Sequence, residues 1–268
     1  MNSQLIRIVG HALTVTCLLI WLVSCSVKED RSVCPCNLEI VFDDKEHITG
    51  PLMMAGWSEG ELFDLIVNTE DYPDGYIKQT PRTMIAFGAA EGVVRCTRTG
   101  HCLVIPEGFE CDSLYVCSDY IDCTGESAQT VVKLHKQFAV LHLGVTSEDF
   151  DADDYSISVN SKSRGIDMLT CEAIAGNFSC TPRPCDNNKY QCCISRQGDD
   201  SMTLTVVHHT GLTVDFPLGS YISSIGYDWR EQDLKDIYIT LDIARGRVGV
   251  GVAGWESVEN FELSKVEL

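Results

Sequence analysis

The residue in this sequence with the most definite chemistry is Cys25. It closes the run Leu22-Val23-Ser24-Cys25, directly after an apolar stretch. An apolar residue three places ahead, small residues just before the Cys and a thiol that can be acylated and exposed by cleavage make a bacterial lipobox. The segment in front has the matching layout. Arg7 and His11 form an n-region without acid, and Ala12 to Val23 form an apolar h-region. That run is too short to span a bilayer comfortably, since a transmembrane helix takes about 20 apolar residues. Residues 1–24 are therefore read as a lipoprotein signal peptide and 25–33 as a polar tether. Two acyl chains on Cys25 give stable anchoring where one is marginal. The charged residues Lys28 to Arg31 fit the kind of signal that routes some lipoproteins to the outer face of the outer membrane.

The other cysteines come next. Of 14, Cys17 lies in the signal and Cys25 takes the lipid. Twelve remain: Cys34, Cys36, Cys96, Cys102, Cys111, Cys117, Cys123, Cys171, Cys180, Cys185, Cys192 and Cys193. Outside the cytoplasm an even number favours disulfides, although spacing alone does not give the pairing. Zinc knuckles would need paired Cys-x-x-Cys runs, and there are none. Cys34-Pro35-Cys36 is too tight for one and lacks redox spacing.

The remaining polar clusters are weaker. His208-His209 ends a strand pattern and could hold a metal, but reads more simply as one outward and one half-buried histidine. His101-Cys102 could suggest a cysteine nucleophile if Cys102 were not oxidised. Asp149, Asp151, Asp153 and Asp154 resemble the start of a calcium loop, yet the sixth and twelfth positions are Asp154 and Asn160 where Gly and Glu are required. Gly246 to Val252 alternates glycine with valine, which is a strand with one small face rather than a phosphate loop. No nucleophile elbow, zincin helix, P-loop or dinucleotide fingerprint occurs. No catalytic residue, metal ligand or cofactor is expected.

These residues must be positioned by β-structure. Leu38, Ile40 and Phe42 alternate with polar neighbours, as do Phe63, Leu65 and Val67, Met202, Leu204 and Val206, and Ile237, Ile239, Leu241 and Ile243. Val248, Val250 and Val252 follow a turn at Ala244-Arg245-Gly246. Such period-2 runs, with no long 3.6-residue periodicity, predict half-buried antiparallel strands and an all-β fold of sandwich type. A boundary near Thr124 to Ser127 divides the body into an N-terminal β-sandwich domain, 34–127, and a C-terminal one, 128–268. The latter carries a turn-rich, Cys-rich insertion at 171–200. The formal net charge of −19 argues against nucleic acid and against adsorption to anionic head groups.

Three stretches in order resemble a known family. They are Cys34-Pro35-Cys36-Asn37-Leu38-Glu39-Ile40-Val41-Phe42, then Val132-Lys133-Leu134-His135-Lys136-Gln137-Phe138-Ala139-Val140-Leu141, then Leu218-Gly219-Ser220-Tyr221 with Asp236 to Asp242 and Trp255. With the lipobox, this order is similar to the fimbrillin-associated anchor lipoproteins of Bacteroidota. The resemblance implies two transthyretin-like antiparallel β-sandwich domains after the signal peptide and attachment to the outer membrane through the lipid. It implies no catalysis and a fimbrial pilin subunit as partner, held by strand addition to an open sheet edge. The strands from Asp236 to Val252 are the expected edge. The cysteine count and the 171–200 segment depart from the family. A tip or stand-alone adhesin binding glycan or host protein, and a disulfide-rich surface hydrolase, are the competing readings.

Overall fold

In an extended chain successive side chains point to opposite faces, so a strand with one face in the core alternates. Leu38 and Ile40 are fully buried and Phe42 nearly so, while Asn37 and Glu39 face solvent. In the computed structural model, which describes residues 33–43, 52–58, 61–64, 76–146, 154–186, 188–243, 245–254 and 259–262, this run is β1 (Cys36–Phe42). From Cys36 onward the chain forms one compact unit of stacked β-sheets. The lipobox, Cys25 and Trp255 lie outside the described residues.

The first sandwich is built from β1 to β5 and β8 to β10. Its strands are β2 (Met53–Ser58), β3 (Glu61–Asp64), β4 (Tyr76–Thr80), β5 (Met84–Glu91), β8 (Tyr115–Asp122), β9 (Ser127–Val132) and β10 (His135–Lys136), besides β1. One sheet has the order β4-β1-β9 and the facing sheet β10-β8-β5-β2-β3. Their inward residues, including Leu38, Ile40, Ile85, Phe87 and Val132, share one core. β1 is antiparallel to β4 and parallel to β9.

The second sandwich holds the larger core. One sheet runs β14 (Arg183–Asp186), β15 (Lys189–Ser195), β11 (Phe138–Val145), β18 (Ile237–Asp242), β19 (Arg247–Val252) and β20 (Glu259–Glu262). The other runs β17 (Thr213–Phe216), β16 (Thr203–His208), β12 (Tyr155–Asp167), β7 (Cys102–Val104) and β6 (Thr97–Thr99), with β13 (Ala173–Cys180) paired to β12. The hairpin β6–β7 lies between β5 and β8 in sequence but pairs through Leu103 and Ile166 with β12. A single short helix among the described residues, α1 (Leu218–Ser224), follows β17 and buries Leu218 and Ile222.

The stretch expected to be turn-rich, 171–200, instead contains three strands. β13 pairs with β12, and β15 lies beside β11 within the sheet. Sequence pattern missed them because Lys189 to Ser195 reads as mixed polar residues and cysteines, although Cys192, Cys193, Ile194 and Ser195 are all buried. The twelve cysteines from Cys34 to Cys193 are free thiols in this structure, where the cysteine count led to disulfides being expected.

The loop joining the two cores is organised by one carboxylate. Asp112 Oδ2 accepts hydrogen bonds from the backbone N–H groups of Val94, Arg95 and Cys96 at 2.9, 2.7 and 2.7 Å. Burial works to raise the pKa of Asp112, but the three N–H donors outweigh it and hold the carboxyl below its usual value. A depressed folded pKa contributes stability that is present above the unfolded value near ~3.9 and is lost as pH falls through the folded one.

Two outcomes are expected. Leu141→Ala, at a fully buried position of β11, lowers unfolding free energy by about 3 kcal/mol, whereas Ile77→Ala, at an exposed position, changes it by less than ~0.5 kcal/mol, both read by urea titration. Asp112→Ala leaves three N–H groups without their acceptor and costs about 3 kcal/mol at pH 7, with the difference from wild type shrinking as pH is taken down through the acid limb.

Candidate interaction surface: sheet edges and a polar cleft

An antiparallel sandwich can act chemically through its sheet edges, where backbone N–H and C=O groups lack a neighbour. The strands from Asp236 to Val252, expected to form such an edge, do not. β18 sits between β11 and β19, and β19 between β18 and β20. The edge of that sheet among the described residues is β20, a strand of four residues with the sequence Glu259-Asn260-Phe261-Glu262. β20 covers Arg247 to Val250 of β19, which leaves Gly251 and Val252 without a partner on that side among the described residues. β19 is buried from Val248 to Val252. β20 is fixed by Phe261, which stacks on Tyr221 of α1 at 4.4 Å and 10°, and by Glu262, which meets Arg247 at 2.6 Å. Short length and flanking acids are the usual devices that keep an edge from pairing indiscriminately.

A cleft of about 840 Å³ opens among the described residues. Its walls come from five distant segments and include His135, Gln137, Cys171, Arg196, Trp229 and Gln232. Arg196 is buried, and its guanidinium is tied to the protein. Nε and Nη2 donate to Gln137 Oε1 at 3.1 and 2.7 Å, Nη2 donates to the Glu231 carbonyl at 2.8 Å, and Nη1 donates to the Trp229 carbonyl. His135 is held between Asp233 and Gln232 at 3.0 and 2.8 Å. These groups satisfy one another and pin the 229–233 loop. They resemble a structural network more than a reacting one. No sequence signal marks the cleft, since its members are far apart in the chain.

The smaller clusters behave as their residue types suggest. Cys102 Sγ, His101 Nδ1 and a carboxylate oxygen of Asp167 lie within 4.8 Å of one another, because Cys102 and Asp167 are cross-strand partners. His101 Nδ1 meets Asp167 at 2.8 Å. Burial, and next the Asp167 charge, push the Cys102 thiol up, which opposes use as a nucleophile. His208 is half-buried and His209 exposed, with His209 Nδ1 3.1 Å from Asp154. Asp149, Asp151 and Asp153 lie outside the described residues. Among those residues no helix is long and apolar enough to cross a membrane.

The sequence matches no protein-family model and no curated protein. Solved structures do match. A candidate polysaccharide-binding protein from Bacteroides thetaiotaomicron aligns with a TM-score of 0.63 at 14% identity, covering 85% of this chain and 98% of that one. The fimbrial anchor protein Mfa2 from Porphyromonas gingivalis aligns with a TM-score of 0.55 at 12% identity, covering 83% and 98%. This chain shares its fold with the fimbrial proteins its sequence resembles. A candidate adhesin from Bacteroides ovatus matches comparably, with a TM-score of 0.60 at 12% identity over 87% of this chain and 97% of that one.

Arg196→Ala is expected to lower unfolding free energy by about 2–4 kcal/mol, because it strands the buried Gln137 amide oxygen and two carbonyls. A denaturant titration checks this. An unchanged midpoint would mean that water replaces the guanidinium without loss.

Proposed function

We propose that this chain is a non-enzymatic lipoprotein of the outer membrane that anchors a fimbrial polymer at the cell surface. The reading is carried by the alignment with the fimbrial anchor protein Mfa2 over 98% of that chain. It is supported by the lipobox that ends at Cys25. Cys25 carries the lipid, the tether 25–33 holds the body off the bilayer, and the body divides into two domains after β10 rather than at 127/128, which keeps β9 and β10 whole with the strands they pair with, apart from the β6–β7 excursion. The pilin subunit is held by adding a strand to an open edge of one of the sheets. Main-chain hydrogen bonds supply the affinity in such an arrangement, and alternate side chains the specificity. Disulfides among the twelve cysteines fit the same extracytoplasmic setting.

A stand-alone or tip adhesin is the second reading. It is favoured by the candidate adhesin and polysaccharide-binding proteins among the structural matches and by the cleft with its half-exposed Trp229. Both readings leave the chain without catalysis.

Replacing Cys25 with Ser in the native host tests the anchor. Intact fibres are expected to move from cells into the medium, counted by electron microscopy and by pilin immunoblot of both fractions. Attached fibres of normal number and length that bind their target poorly would favour the adhesin. Fibres and adhesion unchanged, with the protein still in the membrane fraction, would remove both the lipid assignment and the anchor.

A further inference from the structure

Six of the cysteines meet in pairs. The thiols of Cys36 and Cys123, of Cys96 and Cys111, and of Cys180 and Cys192 are side-chain neighbours. All six are buried, none more than 8% exposed.

Each pair is placed by the fold and not by local sequence. Cys36 opens β1 opposite Thr80, whose Oγ1 donates to the Cys36 carbonyl at 3.4 Å. Cys123 follows β8 and donates its N–H to the Thr83 carbonyl at 3.1 Å. The two therefore lie across the two sheets of the first sandwich. Cys180 ends β13 opposite Val159 of β12, and Cys192 lies in β15 opposite Leu141 of β11, so this pair crosses the second sandwich. Cys96 is drawn in by the Asp112 carboxylate on its N–H, and Cys111 by its own N–H to the Cys193 carbonyl at 2.9 Å.

We propose that the exported protein carries three disulfides, Cys36–Cys123, Cys96–Cys111 and Cys180–Cys192, two of them stapling facing sheets and one closing the loop between the cores. The oxidant required is a disulfide-bearing protein of the cell envelope. One thiol of each pair loses its proton and attacks that disulfide, forming a mixed disulfide and releasing one sulfur of the oxidant. The partner thiol, also deprotonated, displaces the second sulfur. The two cysteines lose two electrons, and the oxidant leaves as a dithiol. The exchange belongs to folding, before the sheets close. Once buried, the thiols are poor nucleophiles. Contact with Cys96 and then burial push Cys111 well up, contact with Cys180 and then burial do the same to Cys192, and burial raises Cys123 to about 11.

The placement divides the molecule. No cysteine follows Cys193. Strands β16 to β20 and α1 therefore hold by packing and hydrogen bonds alone, while the sheets behind them are cross-linked.

Native thiol reactivity does not distinguish a buried thiol from a disulfide, so the test is made on unfolded chain. The full chain is exported to an oxidising envelope, denatured in acid, labelled with a maleimide without reductant, digested between Cys111, Cys117 and Cys123, and mapped by mass spectrometry. The expected result is three cross-linked peptide pairs joining the named cysteines, abolished by reductant, with a Tm about 10 °C lower after reduction and alkylation. In Cys36→Ser, Cys123 is expected to take the label while the other two pairs remain linked. Maleimide on these six residues in the wild-type chain, or linkage of any of them to a different cysteine, overturns the proposal.

Discussion

Each sandwich is closed by one parallel ladder, and the rest of the structure hangs from these two. β1 lies parallel to β9 through Asn37 to Phe42, and β11 parallel to β18 through Leu141 to Val145. Parallel neighbours cannot be joined by a tight turn. The chain must therefore leave and return, and β2 to β8 fill the first excursion while β12 to β17 and α1 fill the second. The β11–β18 register is set by Asp236, whose Oδ1 accepts the Val140 N–H at 3.0 Å and meets Lys136 Nζ at 2.6 Å. A slip of one residue would turn Leu141, Leu143 and Val145 out of the core, so the carboxylate and the hydrophobic face enforce the same pairing. Because partners so far apart in sequence must find each other before burial rewards the loop closure, this topology folds slowly, and the chain exposes open strands while it does.

The strands legible in the sequence were those with one face in the core and one in water. Ile237, Ile239 and Leu241 alternate in the sequence and are buried in the structure, with Tyr238 and Thr240 exposed. β12 was only half legible. Its Ile157 and Val159 announce a strand, but its second half, Ser161 to Gly165, buries serines and a glycine under β7 and β13 and carries no apolar signal. Gly165 shows why. A Cβ there would lie 2.1 Å from the Leu103 carbonyl oxygen, so the close approach of β7 requires a residue that gives no pattern. The short helix α1 begins with Leu218-Gly219 after Pro217 and is held by burial, without a side-chain cap to mark its start. Alternation also says nothing of which strand lies outermost. The Asp236 to Val252 strands read as well-formed β and lie inside the sheet, while among the described residues its edge falls to the polar β20.

Sites follow the same division. Short-range signals such as the lipobox or the His208-His209 pair are visible in a few consecutive residues. The Arg196 network and the facing cysteine pairs are assembled from segments up to tens of residues apart, and no local pattern links Arg196 to Gln137 or Cys36 to Cys123. Twelve cysteines announce that sulfur chemistry matters. Only the strand pairing says which sulfurs face each other.

The parallel β1–β9 pair has a mechanical consequence for the tether proposed at Cys25. A pull on such a tether would enter at the N-terminal end of β1, while the chain toward the second sandwich leaves from the C-terminal end of β9. The two strands run the same way, so load applied at these opposite ends drags one along the other. The rungs from Asn37↔Ser127 to Phe42↔Val132 then share the force in shear and must fail together instead of being peeled one at a time.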